Sequence, residues 1–281
     1  MTTLYIVPTP LGNLEDITLR ALRILGEVDL IATEDTRTTG RLLKHFDISN
    51  SLISYHEHTS PAKLERILQS LADGSNVALV SEAGTPLFSD PGYKLVRAAI
   101  EQGAEIVALP GPSALTTALP ASGLPVDRFI FLGFLPRKAA ARQRFLADVA
   151  AETATLVFFE APHRLQATLA EMVKVFGSDR AVAVCRELTK LYEEVWRGSL
   201  AEAQQEWQER LPRGEFTLVV AGAALAGAWD EAAVEQAVRE ALEAGNGTKM
   251  VAQIVAGQSG WSKKMIYALV QQVKNNVDFE E

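Results

Sequence analysis

The chain has 281 residues, and 48% of them are apolar, which is enough to bury a sizeable core in one large or two modest domains. Its net charge of −8 excludes a protein that binds nucleic acid mainly through its total charge, so any RNA contact must use a local patch or a partner's surface. A single cysteine, Cys185, excludes an internal disulfide, and charges interrupt every apolar run. We therefore expect a cytoplasmic protein without a membrane span.

The first part of the chain alternates short β-type runs with helical segments. The predicted strands are residues 4–7, 28–32, 52–54, 77–80 and 106–109. Helices are predicted between them, the first closed by Gly26 and the fourth begun by Asp90 and Pro91. Such alternation predicts a doubly wound parallel sheet.

The second part of the chain begins with a helix over residues 113–122, followed by another α/β region. The predicted strands are residues 129–132, 156–159, 181–185, 192–197 and 216–221. Several of these strands follow one another with little helix between them, so we expect a mixed sheet. The predicted domains are therefore residues 1–115 and 116–225, with residues 221–228 as a linker.

The tail, residues 230–281, is predicted to be entirely helical. Asp230, Thr248 and Ser262 are predicted to cap three helices, and Gly257 is predicted to end the second. Two short helices joined by a glycine-containing turn resemble a helix-turn-helix. The tail carries four lysines, Lys249, Lys263, Lys264 and Lys274. It is either a small helical cap or an RNA contact.

The loops that follow the predicted parallel strands are the expected ligand site, because ligands bind beyond the carboxyl ends of such strands. Prolines in the loop at residues 8–13 remove N–H donors, so this loop is a poor phosphate cradle. Neither a dinucleotide fingerprint nor a Walker lysine loop is present. The loop at residues 81–86 is small and apolar, with Glu82 as its single charge. It suits a flat apolar ligand that carries a cation, such as S-adenosylmethionine.

Polar residues near the other strand ends have two interpretations each. His56 and His58 flank Glu57, but a closed metal site needs more ligands, so we expect no metal. His163 either projects into a cleft or bonds to the backbone at a helix start. Residues 186–190 form either a surface ion-pair cluster or a group that directs Lys190 or Glu187 into the cleft. There, Lys190 could lower the pKa of a ribose hydroxyl, or act as a base if burial depressed its own pKa.

An ordered set of motifs along the whole chain resembles the tetrapyrrole methylase family, in the branch that methylates ribosomal RNA of the small subunit. The motifs are residues 8–13, Glu34-Asp35-Thr36-Arg37, Glu82-Ala83-Gly84-Thr85-Pro86, Asp90-Pro91-Gly92-Tyr93, Leu109-Pro110-Gly111-Pro112-Ser113, Gly133-Phe134-Leu135-Pro136, Glu160-Ala161-Pro162-His163-Arg164 and residues 186–190. The resemblance implies a two-domain α/β fold with a parallel-sheet domain, a mixed-sheet domain and a helix-turn-helix-like tail. It also implies a homodimer.

The reaction implied by this resemblance is methylation of a cytidine ribose 2′-oxygen in 16S ribosomal RNA of the assembled small subunit, with S-adenosyl-L-methionine as methyl donor. The residues expected to contact the donor are Pro8, Pro10, Glu82, Thr85, Pro86, Phe88, Ser113, Ala114 and Glu160. The catalytic candidates are Lys190, Glu160 and His163, with Glu34 and Asp35 also placed in the cleft. RNA would be contacted through Arg137, Lys138, Arg142 and Arg144.

Two departures from the family pattern bear on the substrate. Many tetrapyrrole methylases have Gly-Asp-Pro where this chain has Gly84-Thr85-Pro86, which argues against a corrin or sirohaem precursor as substrate. Glu82 stands where an aspartate is usual in the ribosomal branch. The alternatives are a methyltransferase of the same fold that acts on a small tetrapyrrole-like molecule, an assembly factor that holds the donor without turnover, and an unrelated nucleotide-binding α/β protein.

Overall fold

The computed structural model describes residues 2–224 and 229–277. The chain forms two compact units, Met1–Ala221 and Gly222–Glu281, and the first contains two five-stranded sheets. The division of the first unit into domains at residues 115 and 116 stays a prediction. The predicted linker falls partly on residues 225–228, which lie outside the described residues. In the part of the chain that the structure describes, no helix is both long and apolar enough to cross a membrane.

The first sheet is entirely parallel, which confirms the predicted doubly wound arrangement. Its strand order is β3-β2-β4-β1-β5. The strands are β1 (Thr3–Val7), β2 (Leu30–Thr33), β3 (Leu52–Ser54), β4 (Val77–Val80) and β5 (Glu105–Ala108). The helices between them are α1 (Leu19–Glu27), α2 (Thr36–His45), α3 (Pro61–Ala72) and α4 (Tyr93–Glu101).

Side chains of the central strands alternate between the two faces of this sheet. In β1, Leu4 and Ile6 pack with α3 and α4, whereas Val7 packs with α1 and α2. Both faces of the sheet are therefore buried, which explains why the sequences of these strands are continuous apolar runs.

Two predicted helix boundaries in this half are wrong. Gly26 lies inside α1, which continues until the Val28 N–H donates to the Ile24 carbonyl. Asp90 and Pro91 do not begin α4, because Gly92 interrupts the helical path with a φ of 147°. A Cβ at Gly92 would lie 2.8 Å from Leu79 Cδ2, so close packing as well as backbone conformation requires glycine there.

The second sheet is mixed, as predicted, with strand order β6-β7-β10-β8-β9. The pair β6–β7 is parallel and the other pairs are antiparallel. Its strands are β6 (Phe129–Phe134), β7 (Thr155–Glu160), β8 (Ala181–Arg186), β9 (Glu194–Ser199) and β10 (Phe216–Val220). Its helices are α5 (Ala114–Ser122), α6 (Ala139–Asp148), α7 (Leu165–Phe176) and α8 (Leu200–Glu209).

Helix α8 was not predicted from the sequence. It begins with a capping box, in which the Ser199 side chain accepts from the Glu202 N–H while Glu202 accepts from the Ser199 N–H. This Ser-x-x-Glu spacing is the signal that could have revealed the helix. Trp207 of α8 is buried with α6 and α7 against one face of the sheet, and α5 covers the opposite face.

The second unit contains three helices with a core of their own. They are α9 (Glu231–Glu243), α10 (Thr248–Ser259) and α11 (Lys263–Val277). Asp230 caps α9 as predicted, by accepting from the Ala233 N–H. The predicted end of α10 at Gly257 is wrong, because the helix continues to Ser259 and ends at Gly260 in a left-handed conformation. Gly247, not Thr248, occupies its N-cap position.

Candidate active site

The loops after β1 and β4 are joined by a pair of backbone hydrogen bonds. The Thr9 N–H donates to the Gly84 carbonyl at 2.9 Å, and the Gly84 N–H donates to the Thr9 carbonyl at 2.8 Å. The buried Thr9 hydroxyl also donates to the Ser81 carbonyl at 3.1 Å. These bonds hold the two loops, which contain Pro8, Pro10 and Glu82, as a single surface at the carboxyl edge of the sheet.

The loop after β5 closes onto the same surface. The Thr85 hydroxyl donates to the Pro112 carbonyl at 2.9 Å. A Cβ at Gly111 would lie 2.7 Å from Pro8 Cβ, so the backbone there can approach only because the residue is glycine. The structure thus brings together the three loops that carry most of the predicted donor-binding residues: Pro8, Pro10, Glu82, Thr85, Pro86, Ser113 and Ala114.

Two contacts connect these loops to the second sheet. A Cβ at Gly12 would overlap Lys190 Cγ and lie 3.0 Å from Lys190 Cδ, so the lysine side chain lies directly on the loop after β1. The second contact joins Phe88 to Phe131 of β6, with ring centroids 6.1 Å apart. Residues from both halves of the first unit therefore meet beside the carboxyl edge of the first sheet.

Lys190 is held at this meeting point by two carboxylates. Its Nζ lies 2.8 Å from Glu187 Oε1 and 3.2 Å from Glu215 Oε2. Burial lowers the pKa of Lys190, but the hydrogen bonds and charges of these glutamates outweigh burial, and the pKa is raised. The ammonium is therefore protonated near neutral pH. A depressed pKa, which the base role would require, is not found.

Glu160 is buried and its carboxylate is fully engaged. It accepts from the Ala161 N–H at 2.8 Å and from the Thr168 hydroxyl at 2.6 Å, and it lies 3.2 Å from Arg164 Nε. Arg164 in turn donates to the Leu135 carbonyl at 2.7 Å, in the loop after β6. His163 is exposed on a short 3₁₀ helix, Pro162–Arg164. In the described residues, neither Glu160 nor His163 makes a hydrogen bond or ion pair with Lys190 or with the three loops.

Three carboxylates interact at the carboxyl edge of the first sheet. Burial raises the pKa of Asp90 to about 6, with further contributions from the negative charges of Glu34 and Glu82. Burial, and then the charge of Glu82, also raise the pKa of Glu34. This mutual repulsion would be relieved by a cation. Asp90 was assigned to a helix cap, so sequence reasoning missed its place in this group.

A cavity of about 420 Å³ opens beside the same edge. It is lined by Thr9, Pro10 and Glu82 from the strand-end loops and by Thr38, Arg41 and His45 from α2. No cluster of three His, Cys, Asp or Glu side chains able to hold a metal occurs among residues 2–224 and 229–277. Glu57 is instead paired with Lys94, at 2.8 Å.

Of the four basic residues predicted to contact RNA, one was assigned wrongly. Arg142 is 6% exposed, and its Nε and Nη2 donate to the two oxygens of Glu171 at 2.6 and 2.7 Å. This buried, bidentate pair places its charge inside the protein. Arg137, Lys138 and Arg144 are exposed.

Comparison with known proteins identifies the family. The family model for tetrapyrrole (corrin/porphyrin) methylases matches residues 3–204. Among curated proteins, the chain is similar to "Ribosomal RNA small subunit methyltransferase I" of Halalkalibacterium halodurans, with 46% identity over 96% of this chain and 95% of the relative. The protein of the same name from Escherichia coli O157:H7 is 51% identical over 78% of this chain and 77% of its own length.

Solved structures show the same fold at low identity. A uroporphyrin-III-C-methyltransferase from Thermus thermophilus superposes with a TM-score of 0.57 at 22% identity, covering 79% of this chain and 94% of that one. A cobalt precorrin-4 methyltransferase gives a TM-score of 0.60 at 16% identity, covering 78% of this chain and 94% of that one. The chain belongs to the tetrapyrrole methylase family, in the branch whose members are named ribosomal RNA small subunit methyltransferase I.

Proposed function

We propose that this protein transfers a methyl group from S-adenosyl-L-methionine to a cytidine ribose 2′-oxygen in 16S ribosomal RNA, within the small ribosomal subunit. The observation that carries the proposal is the position of Lys190, a protonated amine placed on the loop after β1 beside the three loops proposed to bind the donor. The names of the close relatives support RNA of the small subunit as the substrate. We further propose a homodimer that acts in the cytoplasm.

The residues at the carboxyl edge of the first sheet fit this methyl donor. Pro10 lines the cavity and Ala114 is half-buried, so these two could meet an adenine ring, whereas Pro8 and Pro86 are buried and would support the loops from within. The close approach of Gly111 to Pro8 leaves no room for a side chain, which suits a backbone that wraps a flat ligand. The acidic group of Glu34, Glu82 and Asp90 provides the negative charge that a sulfonium requires. Thr85, Phe88 and Ser113 complete the proposed contacts.

The chemistry that bound S-adenosylmethionine supplies is a methyl group on a positively charged sulfur. The protein's task is to hold the ribose oxygen in line with that methyl group, and such alignment alone can supply several powers of ten in rate. The ammonium of Lys190 would stabilise the developing alkoxide and so lower the pKa of the 2′-hydroxyl. His163 is the proposed proton acceptor, because its side chain is exposed and forms no ion pair among the described residues.

Glu160 takes a different role in this proposal from the one expected from sequence. Its oxygens are engaged by Thr168, Ala161 and Arg164, so it contributes by orienting Arg164 and the loop after β6. Thr85 in place of an aspartate gives no support for a tetrapyrrole substrate. The solved tetrapyrrole methylases share the fold at 16–22% identity.

The test is transfer of labelled methyl to small subunits from a strain that lacks this gene. Naked 16S RNA, subunits of the parent strain and a tetrapyrrole precursor serve as parallel acceptors. Label on the deletion-strain subunits, and little on the parent subunits, supports the proposal. Label on the tetrapyrrole would favour the small-molecule alternative, and donor binding without transfer to any acceptor would favour an assembly factor. Sedimentation equilibrium tests the proposed dimer separately.

A further inference from the structure

A β-bulge in β6 changes which face of the sheet its aromatic residues occupy. Phe131 pairs with Val157, and after the irregularity at Gly133 the residue Phe134 pairs with Phe159. Without a bulge, side chains three residues apart in a strand point to opposite faces. The bulge, with Gly133 at a φ of 61°, places Phe131 and Phe134 on the same face as Phe159.

The result is a row of four phenylalanine rings in successive contact. Ring centroids are 6.1 Å apart for Phe88 and Phe131, 4.9 Å for Phe131 and Phe159, and 5.7 Å for Phe159 and Phe134. The rings at the two ends are the most open, since Phe134 is 54% exposed and Phe88 is 45% exposed. Phe88 belongs to the loop after β4 that is proposed to contact the donor, and Phe134 lies at the other end of the row.

Two exposed cations follow Phe134 in the loop after β6. They are Arg137 and Lys138. Two arginine side chains hold the backbone of this loop. Arg164 donates to the Leu135 carbonyl at 2.7 Å, and Arg142 donates to the Arg137 carbonyl at 3.5 Å. The supporting arginines are themselves paired with the buried carboxylates Glu160 and Glu171. The exposed ring at the end of β6 thus lies next to two cations on a loop that buried side chains hold in place.

We propose that the end of β6 and the loop that follows it form an RNA contact of the enzyme: Phe134 stacks on a base near the methylated nucleotide, and Arg137 and Lys138 bind the flanking phosphates. An open aromatic ring beside cations is the arrangement that binds single-stranded RNA, where bases stack and phosphates need positive charge. Because the net charge of the protein is −8, binding to RNA requires a local positive patch of this kind. The inference rests on the proposed RNA substrate and deepens it by naming the contact surface.

The test compares Phe134→Ala with Phe129→Ala in binding to small subunits from the deletion strain. Phe129 is the matched control, because it lies on the same strand, is 44% exposed and is outside the aromatic row. We expect Phe134→Ala to weaken binding roughly 10- to 100-fold, and Phe134→Trp to retain it, because stacking contributes on the order of 1–3 kcal/mol for each base. Phe129→Ala should bind as the wild type does.

Salt dependence separates the roles of the ring and the cations. Arg137→Ala should weaken binding and reduce the slope of log K against log salt by about 0.7 to 0.9, the amount expected for one phosphate contact. Phe134→Ala should leave that slope unchanged. Lys174→Ala, an exposed lysine on α7, is the control for loss of one positive charge. Donor binding, measured by calorimetry, should be unaltered in all of these variants.

Several results would overturn the inference. One is equal subunit binding by Phe134→Ala and Phe129→Ala. Another is a shift of Phe134→Ala to a smaller species in sedimentation, which would assign the ring to contact with a second copy. Wild-type protein that does not bind subunits would overturn both the inference and the proposed function. Wild-type protein that binds subunits without methylating them would refute only the proposed function, since the binding comparison would still be decided.

Discussion

The contact between Gly12 and Lys190 gives a prediction that can be worked out in detail. In Gly12→Ala, the new methyl group overlaps Lys190 Cγ and lies 3.0 and 3.1 Å from Cδ and Cε, closer than ordinary van der Waals contact. The lysine side chain must move and lose its contacts with Glu187 and Glu215. We expect the free energy of unfolding to fall by about 1–2 kcal/mol, the lower part of the range for an overpacked site.

A double-mutant cycle isolates this contact. Lys190→Ala removes the atoms that the new methyl group would meet, so Gly12→Ala should cost almost nothing in that background, giving a coupling free energy of about 1 kcal/mol or more. Methyl transfer should fall at least tenfold in each single variant, because a displaced or missing ammonium no longer stabilises the oxygen. The double variant should be as stable as Lys190→Ala and equally inactive.

The measurements are urea unfolding and methyl transfer on the four proteins of the cycle. Gly26→Ala is the control, since a Cβ there meets nothing within 4 Å and lies in helix α1. It should stabilise the protein by roughly 0.5–1 kcal/mol and be additive with Lys190→Ala. Strictly additive effects of Gly12→Ala and Lys190→Ala would refute the reasoning, because they would mean that the lysine does not lie on this loop.

Three further predictions concern buried charge and the thiol. Asp90 has a pKa of about 6 when folded and near 3.8 when unfolded, so the folded state binds more protons between those values and stability falls as pH rises through them. The urea midpoint of Asp90→Asn should therefore change less with pH than that of the wild type, over a span of roughly pH 4.5 to pH 7. Arg142→Ala leaves Glu171 buried without a partner and should lower stability by about 3–5 kcal/mol, whereas replacing both residues by methionine should restore much of it. Burial raises the pKa of Cys185 to about 11, so thiol reagents at mild pH should modify it only after unfolding.

For each of these predictions, one result would contradict it. An unchanged pH profile in Asp90→Asn would show that this carboxyl is not perturbed. A loss below 1 kcal/mol in Arg142→Ala would show that Glu171 finds another partner or solvent. Reaction of native Cys185 at the rate of a free thiol would place it outside the core.

The overall fold was predictable because its signals are local. Continuous apolar runs ending in turn residues indicate buried parallel strands, and all five strands of the first sheet were found. The mixed second sheet followed from strands with short connections. Helix α8 was missed because no helix was predicted between the strands at residues 192–197 and 216–221, although Ser199 and Glu202 have the spacing of a capping box. The end of α1 was misplaced at Gly26 because a glycine near the end of a helix can remain helical.

The candidate site was predictable in position but not in detail. Strand topology alone brings the loops after β1, β4 and β5 to one edge, as expected for a doubly wound sheet. The contact of Lys190 with Gly12 and the pairing of Arg142 with Glu171 join residues far apart in sequence, so no local pattern reveals them. The bulge at Gly133, which aligns the phenylalanine row, is likewise visible only in the strand register.

The central claim is that the acceptor is a ribose oxygen of small-subunit RNA, and the position of the transferred methyl tests it most directly. Subunits labelled by the wild-type protein would be stripped of protein, and their RNA hydrolysed with alkali. A methyl on the 2′-oxygen blocks cleavage at that nucleotide, so we predict that the label appears in an alkali-resistant dinucleotide that contains cytidine. Label released as a mononucleotide would place the methyl on a base and would contradict the account.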